Sequence, residues 1–142
     1  QDSRTVARIV LEHEGLEVME AADGLEGIQK ALEFLPDVVL MDIVLPEIDG
    51  LNAARQIRTH AHTGPMRIVA LTAIVREGIA EEALIAGCNA FLPKPYHIAT
   101  LRNVVAAQIA AAHGSQIRTV LHDFVTYARA PSGLHASWLA ER

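Results

Sequence analysis

The run Val38-Val39-Leu40-Met41-Asp42 most constrains what this chain can fold into. Four apolar residues lead straight into a carboxylate, and Pro46 and Gly50 break the chain soon after. A strand with one wet face alternates apolar and polar residues. An unbroken apolar run bounded by turn residues is instead buried on both faces, as in a parallel sheet covered by helices on either side. Asp42 then stands at the carboxyl end of that strand, where open α/β sheets build their sites. A carboxylate there is poorly placed for packing and well placed for chemistry.

The rest of the chain alternates helix and strand as a doubly wound sheet requires. The pattern predicts a helix from Ser3, as N-cap, to about His13, and a short strand over Leu16–Glu20. After Asp23-Gly24 it predicts a helix with Leu25, Ile28, Leu32 and Leu35 on its buried face, ending before Pro36. The Asp42 strand follows, then a helix from Leu51 to Thr59 in which Asp49 caps the first turn and Gly50 permits the turn before it. A strand ends at Thr72, and a helix over about 77–86 closes at Gly87 as its C-cap. A short strand carries Phe91, and a helix covers about 98–112. Two strand ends add to Asp42: Arg67-Ile-Val-Ala-Leu-Thr72 ends in a hydroxyl, and Asn89-Ala-Phe-Leu-Pro-Lys94-Pro95 ends in a cation. In a parallel sheet all three ends share one rim, so an acidic acceptor, a hydroxyl donor and an ammonium group converge. The expectation is that Asp42 receives a phosphoryl group.

At these residues the chain resembles the receiver domain of two-component response regulators. Met41-Asp-Ile-Val-Leu-Pro-Glu-Ile-Asp-Gly50, Ala70-Leu-Thr-Ala73 and Phe91-Leu-Pro-Lys-Pro95 carry the resemblance. Their spacing fits the family without insertion or deletion from 42 to 94, and the likeness covers about residues 2 to 112. It implies a flavodoxin-like (βα)5 fold with Asp42 as phosphoacceptor, Lys94 and Thr72 stabilising the transfer, and a phosphohistidine donor on a histidine kinase or phosphotransfer protein. It also implies Mg2+ held by Asp2, Asp42 and the Val44 backbone carbonyl, a cis Lys94–Pro95 bond, and a switch pair of Thr72 and Phe91. Signalling would run through the face formed by the last two helices and the strand between them. Such a chain catalyses only its own phosphorylation and dephosphorylation, and is otherwise no enzyme. The family carries two adjacent acids after its first strand. Gln1 stands where one of them would be, which removes a charge and should weaken metal binding.

The front of the fold is missing from the sequence. Receivers open with an apolar strand that lies in the middle of the sheet, and no apolar run precedes Asp2. A sheet lacking its central strand leaves buried backbone groups unpaired, at roughly 1–3 kcal/mol each. Either a strand precedes Gln1 in the full protein or another segment fills the slot. Beyond the receiver domain (1–113), residues 114–142 form an extension or linker. There Ile117, Val120, Leu121, Phe124, Val125 and Ala128 recur at helical spacing, with Ser115 as cap, and favour an amphipathic C-terminal helix. Its apolar stripe would need a partner, which points to a homodimer. The alternative is that Arg118–Phe124 resembles the missing strand, with Asp123 as its carboxylate, and completes a neighbour's sheet or begins a second receiver unit.

Each residue also has a bland reading. Lys94 alone would be a loop lysine, Thr72 ordinary β-propensity, Phe91 a core ring and Cys88 a small core residue. Of the seven histidines, His60 and His62 sit at a helix end facing solvent, and His113 and His122 lack ligand spacing. Net charge −5 argues against a nucleic-acid surface. A lone cysteine excludes an internal disulfide, and no long apolar span is visible. These features suggest a cytoplasmic, soluble chain. Two rivals remain: a pseudo-receiver that keeps the fold as an interaction module without being phosphorylated, and a flavodoxin-like nucleotide or flavin binder. The second would need a glycine-rich phosphate loop, and none is evident.

Overall fold

The computed structural model of the chain describes residues 2–43, 49–73, 76–113, 119–121 and 125–129. Helix α1 (Asp2–His13) leads through Gly15 into β1 (Glu17–Ala21). Then come α2 (Gly24–Phe34), β2 (Val38–Asp42), α3 (Gly50–Arg58), a 3-10 turn (Ala61–Thr63) and β3 (Arg67–Thr72). Helix α4 (Ile79–Ala86), β4 (Ala90–Pro93) and α5 (Ile98–His113) complete the alternation. Strands β1 to β4 progress in one direction across the sheet, so right-handed crossovers put α2, α3 and α4 on one face. Helices α1 and α5 pack on the other.

The apolar run of β2 explains the layering. Val38 and Leu40 point into the layer with Leu11, Leu101, Val105 and Ile109, while Val39 and Met41 point into the layer with Ala31, Leu51, Ala54 and Ile57. These four strand residues are at most 1% exposed. Each such side chain contributes roughly 1.5–3 kcal/mol on burial. β3 repeats the pattern, with Ile68 and Ala70 on one side and Val69 and Leu71 on the other.

Helix ends follow local chemistry. Asp23 caps α2 by accepting from the Glu26 amide at 2.9 Å, and Glu26 reaches back to the Ala22 amide at 2.7 Å. That is a reciprocal capping box. Asp49 caps α3 through the Asn52 amide at 2.8 Å, and Gly87 closes α4 at φ 108°. Helix α1 already includes Asp2, so Ser3 lies within the helix and not at the expected cap position.

Two expectations are corrected. The buried side of α2 is Gly24, Gly27 and Ala31, whereas Leu25 and Leu35 are exposed. Of the four expected residues, Ile28 packs partly buried against the core. The tail differs more. Residues Thr119–Leu121 form β5 and Val125–Arg129 form β6, so the expected C-terminal amphipathic helix is not what the described residues adopt. The sheet runs β4-β3-β2-β6-β1-β5, with β6 antiparallel between β1 and β2. The slot of the missing first strand is thus filled from the tail, but by Val125–Arg129 and not by the expected Arg118–Phe124, whose Thr119–Leu121 pairs with the other edge of β1 as β5. Backbone groups on the inner edges of β1 and β2 gain partners this way, and Val125, Thr126 and Tyr127 are strand formers. The case for dimerisation through a tail helix goes with that helix. Asp123 and His122 lie outside the described residues.

Candidate phosphoacceptor site

Parallel pairing aligns the strand ends. Asp42 lies opposite Leu71, and the next amide, Ile43, donates to the Leu71 carbonyl at 2.9 Å. Thr72 lies opposite Pro93, and the Lys94 amide donates to the Thr72 carbonyl at 2.7 Å. The three predicted residues thus meet on one rim. Lys94 Nζ donates to Asp42 Oδ2 at 2.7 Å, with the side chains 23% and 16% exposed. The pair is therefore half-sheltered yet open to a reactant. Thr72 is buried, 1% exposed, at the end of β3. Phe91 packs partly buried against the layer formed by α2, α3 and α4, which places it between core and surface as either reading requires. The Lys94–Pro95 bond is cis, as the family resemblance implied.

The metal-side assignments stand differently. Asp2 begins α1, whose amino-terminal end lies at the same end of the sheet as Asp42, because α1 runs back to the start of β1. Gln1, Val44 and Leu45 lie outside the described residues. Among the described residues no three His, Cys, Asp or Glu side chains come together as a metal cluster. Magnesium keeps several waters and is held through one or two carboxylates, so the hard oxygen donor of Asp42 fits that ion.

Two features add to the strand ends. A cavity of about 340 Å³ opens beside Lys94, lined by Ala73, Lys94, Pro95 and Tyr96. It adjoins the ammonium side of the ion pair, and the small side chain of Ala73 forms part of its wall. Tyr96 could have been found as the aromatic residue following Pro95. The second feature is Gly50. Its amide donates to the Ile43 carbonyl at 2.7 Å, and a Cβ there would fall on the Asp42 carbonyl oxygen and 2.8 Å from Ile43 Cα. Gly50 is required by close approach to the acceptor strand, not by a turn conformation.

Other candidates take the bland reading. Cys88 is buried, and desolvation pushes its thiol up to about 11. Since the thiolate is the nucleophile, alkylation in the native chain is expected to be roughly a hundredfold slower than for an exposed cysteine, and ordinary in denaturant. Intact mass after timed alkylation checks this. His60 and His62 are exposed, their rings 5.8 Å apart. No described helix is long and apolar enough to cross a membrane.

Comparison with known proteins agrees with this geometry. The family model described as the response regulator receiver domain matches residues 1–106. The polar-differentiation response regulator DivK of Brucella anthropi is 33% identical over 91 residues, covering 64% of this chain and 74% of that protein. A protein-glutamate methylesterase/protein-glutamine glutaminase of Alkalilimnicola ehrlichii is 35% identical over 96 residues, 66% of this chain but only 24% of that protein. Among solved structures, the receiver domain of sensor histidine kinase PA1611 from Pseudomonas aeruginosa superposes with a TM-score of 0.67 at 35% identity. The match covers 78% of this chain and 88% of that one, and that structure has a magnesium ion coordinated in its active-site cleft. From the strand-end geometry and the extent of the family match, the chain belongs to the response regulator receiver domain family.

Proposed function

We propose that this chain accepts a phosphoryl group from phosphohistidine onto Asp42 in two-component signalling. The observation that carries the reading is the 2.7 Å contact between Lys94 Nζ and Asp42 Oδ2 at the rim, with Thr72 beside it. In the transfer, an Asp42 carboxylate oxygen forms the new P–O bond as the N–P bond of the donor breaks. The leaving imidazole nitrogen takes the electron pair and is then protonated. A carboxylate approaching a phosphoryl group meets repulsion from its oxygens, so positive charge must be in place beforehand. Lys94 supplies one such charge and moves from the acceptor carboxylate to the phosphoryl oxygens. The Thr72 hydroxyl donates to another oxygen, and Phe91 shifts as Thr72 moves. Magnesium, held by Asp42, Asp2 and the Val44 carbonyl, would supply further charge neutralisation at the phosphoryl oxygens.

The output would pass through α4, β4 and α5. Helix α4 presents Leu84 and Ile85 to solvent at 59% and 82% exposure, apolar groups whose docking on a partner can depend on the switch. Phosphorylation acts by stabilising one arrangement over the other. The donor would be a histidine kinase or phosphotransfer protein, and hydrolysis of the acyl phosphate would reset the site.

Gln1, in place of the second acid, favours the pseudo-receiver as the competing reading. Intact mass after incubation with a small phosphodonor decides between them. The expected result is one phosphoryl adduct that requires magnesium and disappears in Asp42→Asn. A folded chain that forms no adduct would be a pseudo-receiver.

A further inference from the structure

At the end of the molecule opposite the site, Arg58 at the end of α3 makes three hydrogen bonds to two other segments, the 3-10 turn and the connection between α4 and β4. Nε donates to the Gly87 carbonyl at 2.9 Å, one terminal nitrogen to the Thr63 carbonyl at 2.7 Å, and the other to Asn89 Oδ1 at 2.7 Å. Asn89 Oδ1 also accepts from the Ile68 amide at 2.8 Å, and the Asn89 amide donates to the Ile68 carbonyl at 2.7 Å. Asn89 thus ties the start of β4 to the start of β3, and Arg58 holds Asn89. The aliphatic stem of Arg58 also supports the last turn of α4, where a Cβ on Gly87 would come within 2.6 Å of Arg58 Cγ.

All three acceptors of this half-buried cation are neutral oxygens. Burial lowers its pKa, with Arg67 adding to the effect, so the arrangement costs desolvation that no carboxylate offsets. An apolar side chain of similar length would fill the same space more cheaply. What the guanidinium adds is a rigid fork with fixed directions.

The position of β4 is where that fork matters. The strand has only four residues and, among the described residues, one strand partner, β3. Its amino-terminal end is held by Asn89 and its carboxyl end by the Lys94 amide on the Thr72 carbonyl. A displacement along the strand moves Lys94 by the same amount, and one residue is about 3.3 Å, more than the contact with Asp42 tolerates. We infer that Arg58 is a positioning residue for Lys94: through Asn89 it fixes where β4 sits on β3, and so where the ammonium group meets the acceptor. The inference rests on the role given to Lys94 above and adds a distant residue through which that role is set.

The test uses Arg58→Met, which keeps the stem, and Arg58→Lys, which keeps charge and most of the stem but not the fork. Amide hydrogen exchange is followed at Asn89 and at Lys94, without phosphodonor. Phosphorylation by a small phosphodonor is timed in the Lys94 and Lys94→Ala backgrounds. With Lys94 present, the rate is expected to fall about tenfold in both Arg58 variants. In the Lys94→Ala background the same substitutions should leave it within about twofold, because nothing remains to be positioned. Exchange at the Lys94 amide should accelerate along with that at Asn89. Faster exchange confined to Asn89, or an equal rate loss in both backgrounds, would reduce Arg58 to a structural clamp. If Arg58→Met does not fold, Arg58→Lys carries both arms, and full recovery of rate by that lysine overturns the proposal. A wild-type chain that forms no adduct defeats the phosphoacceptor reading, while the exchange arm still decides the anchoring of β4.

Discussion

Lys94→Ala is expected to slow phosphorylation of Asp42 by about 10²–10³-fold while the chain stays folded. The ammonium group lies 2.7 Å from Asp42 Oδ2 in the resting protein, so it already neutralises the nucleophile. Its larger effect comes as three phosphoryl oxygens arrive and negative charge builds up on them. A donor fixed in advance at that point needs no reorganisation during the reaction, and removing one such donor from an active site costs 10²–10³ in rate. Stability should change far less. Both side chains retain some exposure, and a hydrogen bond to a charged group contributes only about 1.5–3 kcal/mol before solvent screening reduces it. Lys94→Arg should restore only part of the rate, since a planar fork cannot occupy the position of a point charge. The check is a time course of adduct formation by intact mass, with donor concentration varied to separate binding from transfer, beside a denaturant titration. A rate within twofold of wild type would remove Lys94 from the mechanism. A large fall in stability would make the rate loss uninterpretable, and Lys94→Met, which keeps the stem, would then replace the alanine.

How much of this was legible in the sequence depended on what each segment has to do. β2 and β3 were readable because burial on both faces demands an unbroken apolar run, and Val38–Met41 and Ile68–Leu71 supply one. Their ends followed, and with them the positions of Asp42 and Thr72; Lys94 was placed by the shorter run Ala90–Pro93 and the prolines on either side of it. The face of α2 was only partly legible because hydrophobicity weights large residues: Ile28 does pack on the core, but the fully buried positions are small. Gly24, Gly27 and Ala31 carry little apolar signal, while Leu25 and Leu35 carry much and remain exposed. The tail was misread for a different reason. Its apolar residues fit a 3.6 period, and nothing local in Thr119–Leu121 or Val125–Arg129 discloses that β1 and β2 leave a vacancy between them. Pairing across the sheet overrode local periodicity, as tertiary context often does. Arg58 and Asn89 were invisible because 31 positions separate them in sequence, and only the fold makes them neighbours.

Gly50→Ala should be the most damaging single-methyl addition near the site. The new Cβ would fall on the Asp42 carbonyl oxygen and lie 2.8 Å from Ile43 Cα, both of them backbone atoms. Rotamer changes cannot relieve such an overlap, so either the start of α3 lifts away from the sheet or the end of β2 shifts. The first loses the Gly50 amide bond to the Ile43 carbonyl and loosens Leu51 and Ala53 from the core. The second moves Asp42 away from Lys94. Overpacking with backbone displacement costs about 2–4 kcal/mol, which for a domain of this size lowers Tm by roughly 5–15 °C. A misplacement of the acceptor by even about 1 Å would slow phosphorylation tenfold or more. Gly64→Ala is the matched control. Gly64 has φ −51°, and its Cβ would meet nothing closer than the Ala61 carbonyl oxygen at 3.4 Å. The extra methyl there restricts the unfolded chain without straining the folded one, so stability should hold or rise by about 0.4–1 kcal/mol. Thermal melts and phosphorylation rates of the two variants, measured side by side, isolate the close approach. If Gly50→Ala melts with wild type and accepts phosphate at the wild-type rate, the contact between α3 and the acceptor strand is not the constraint that makes residue 50 glycine.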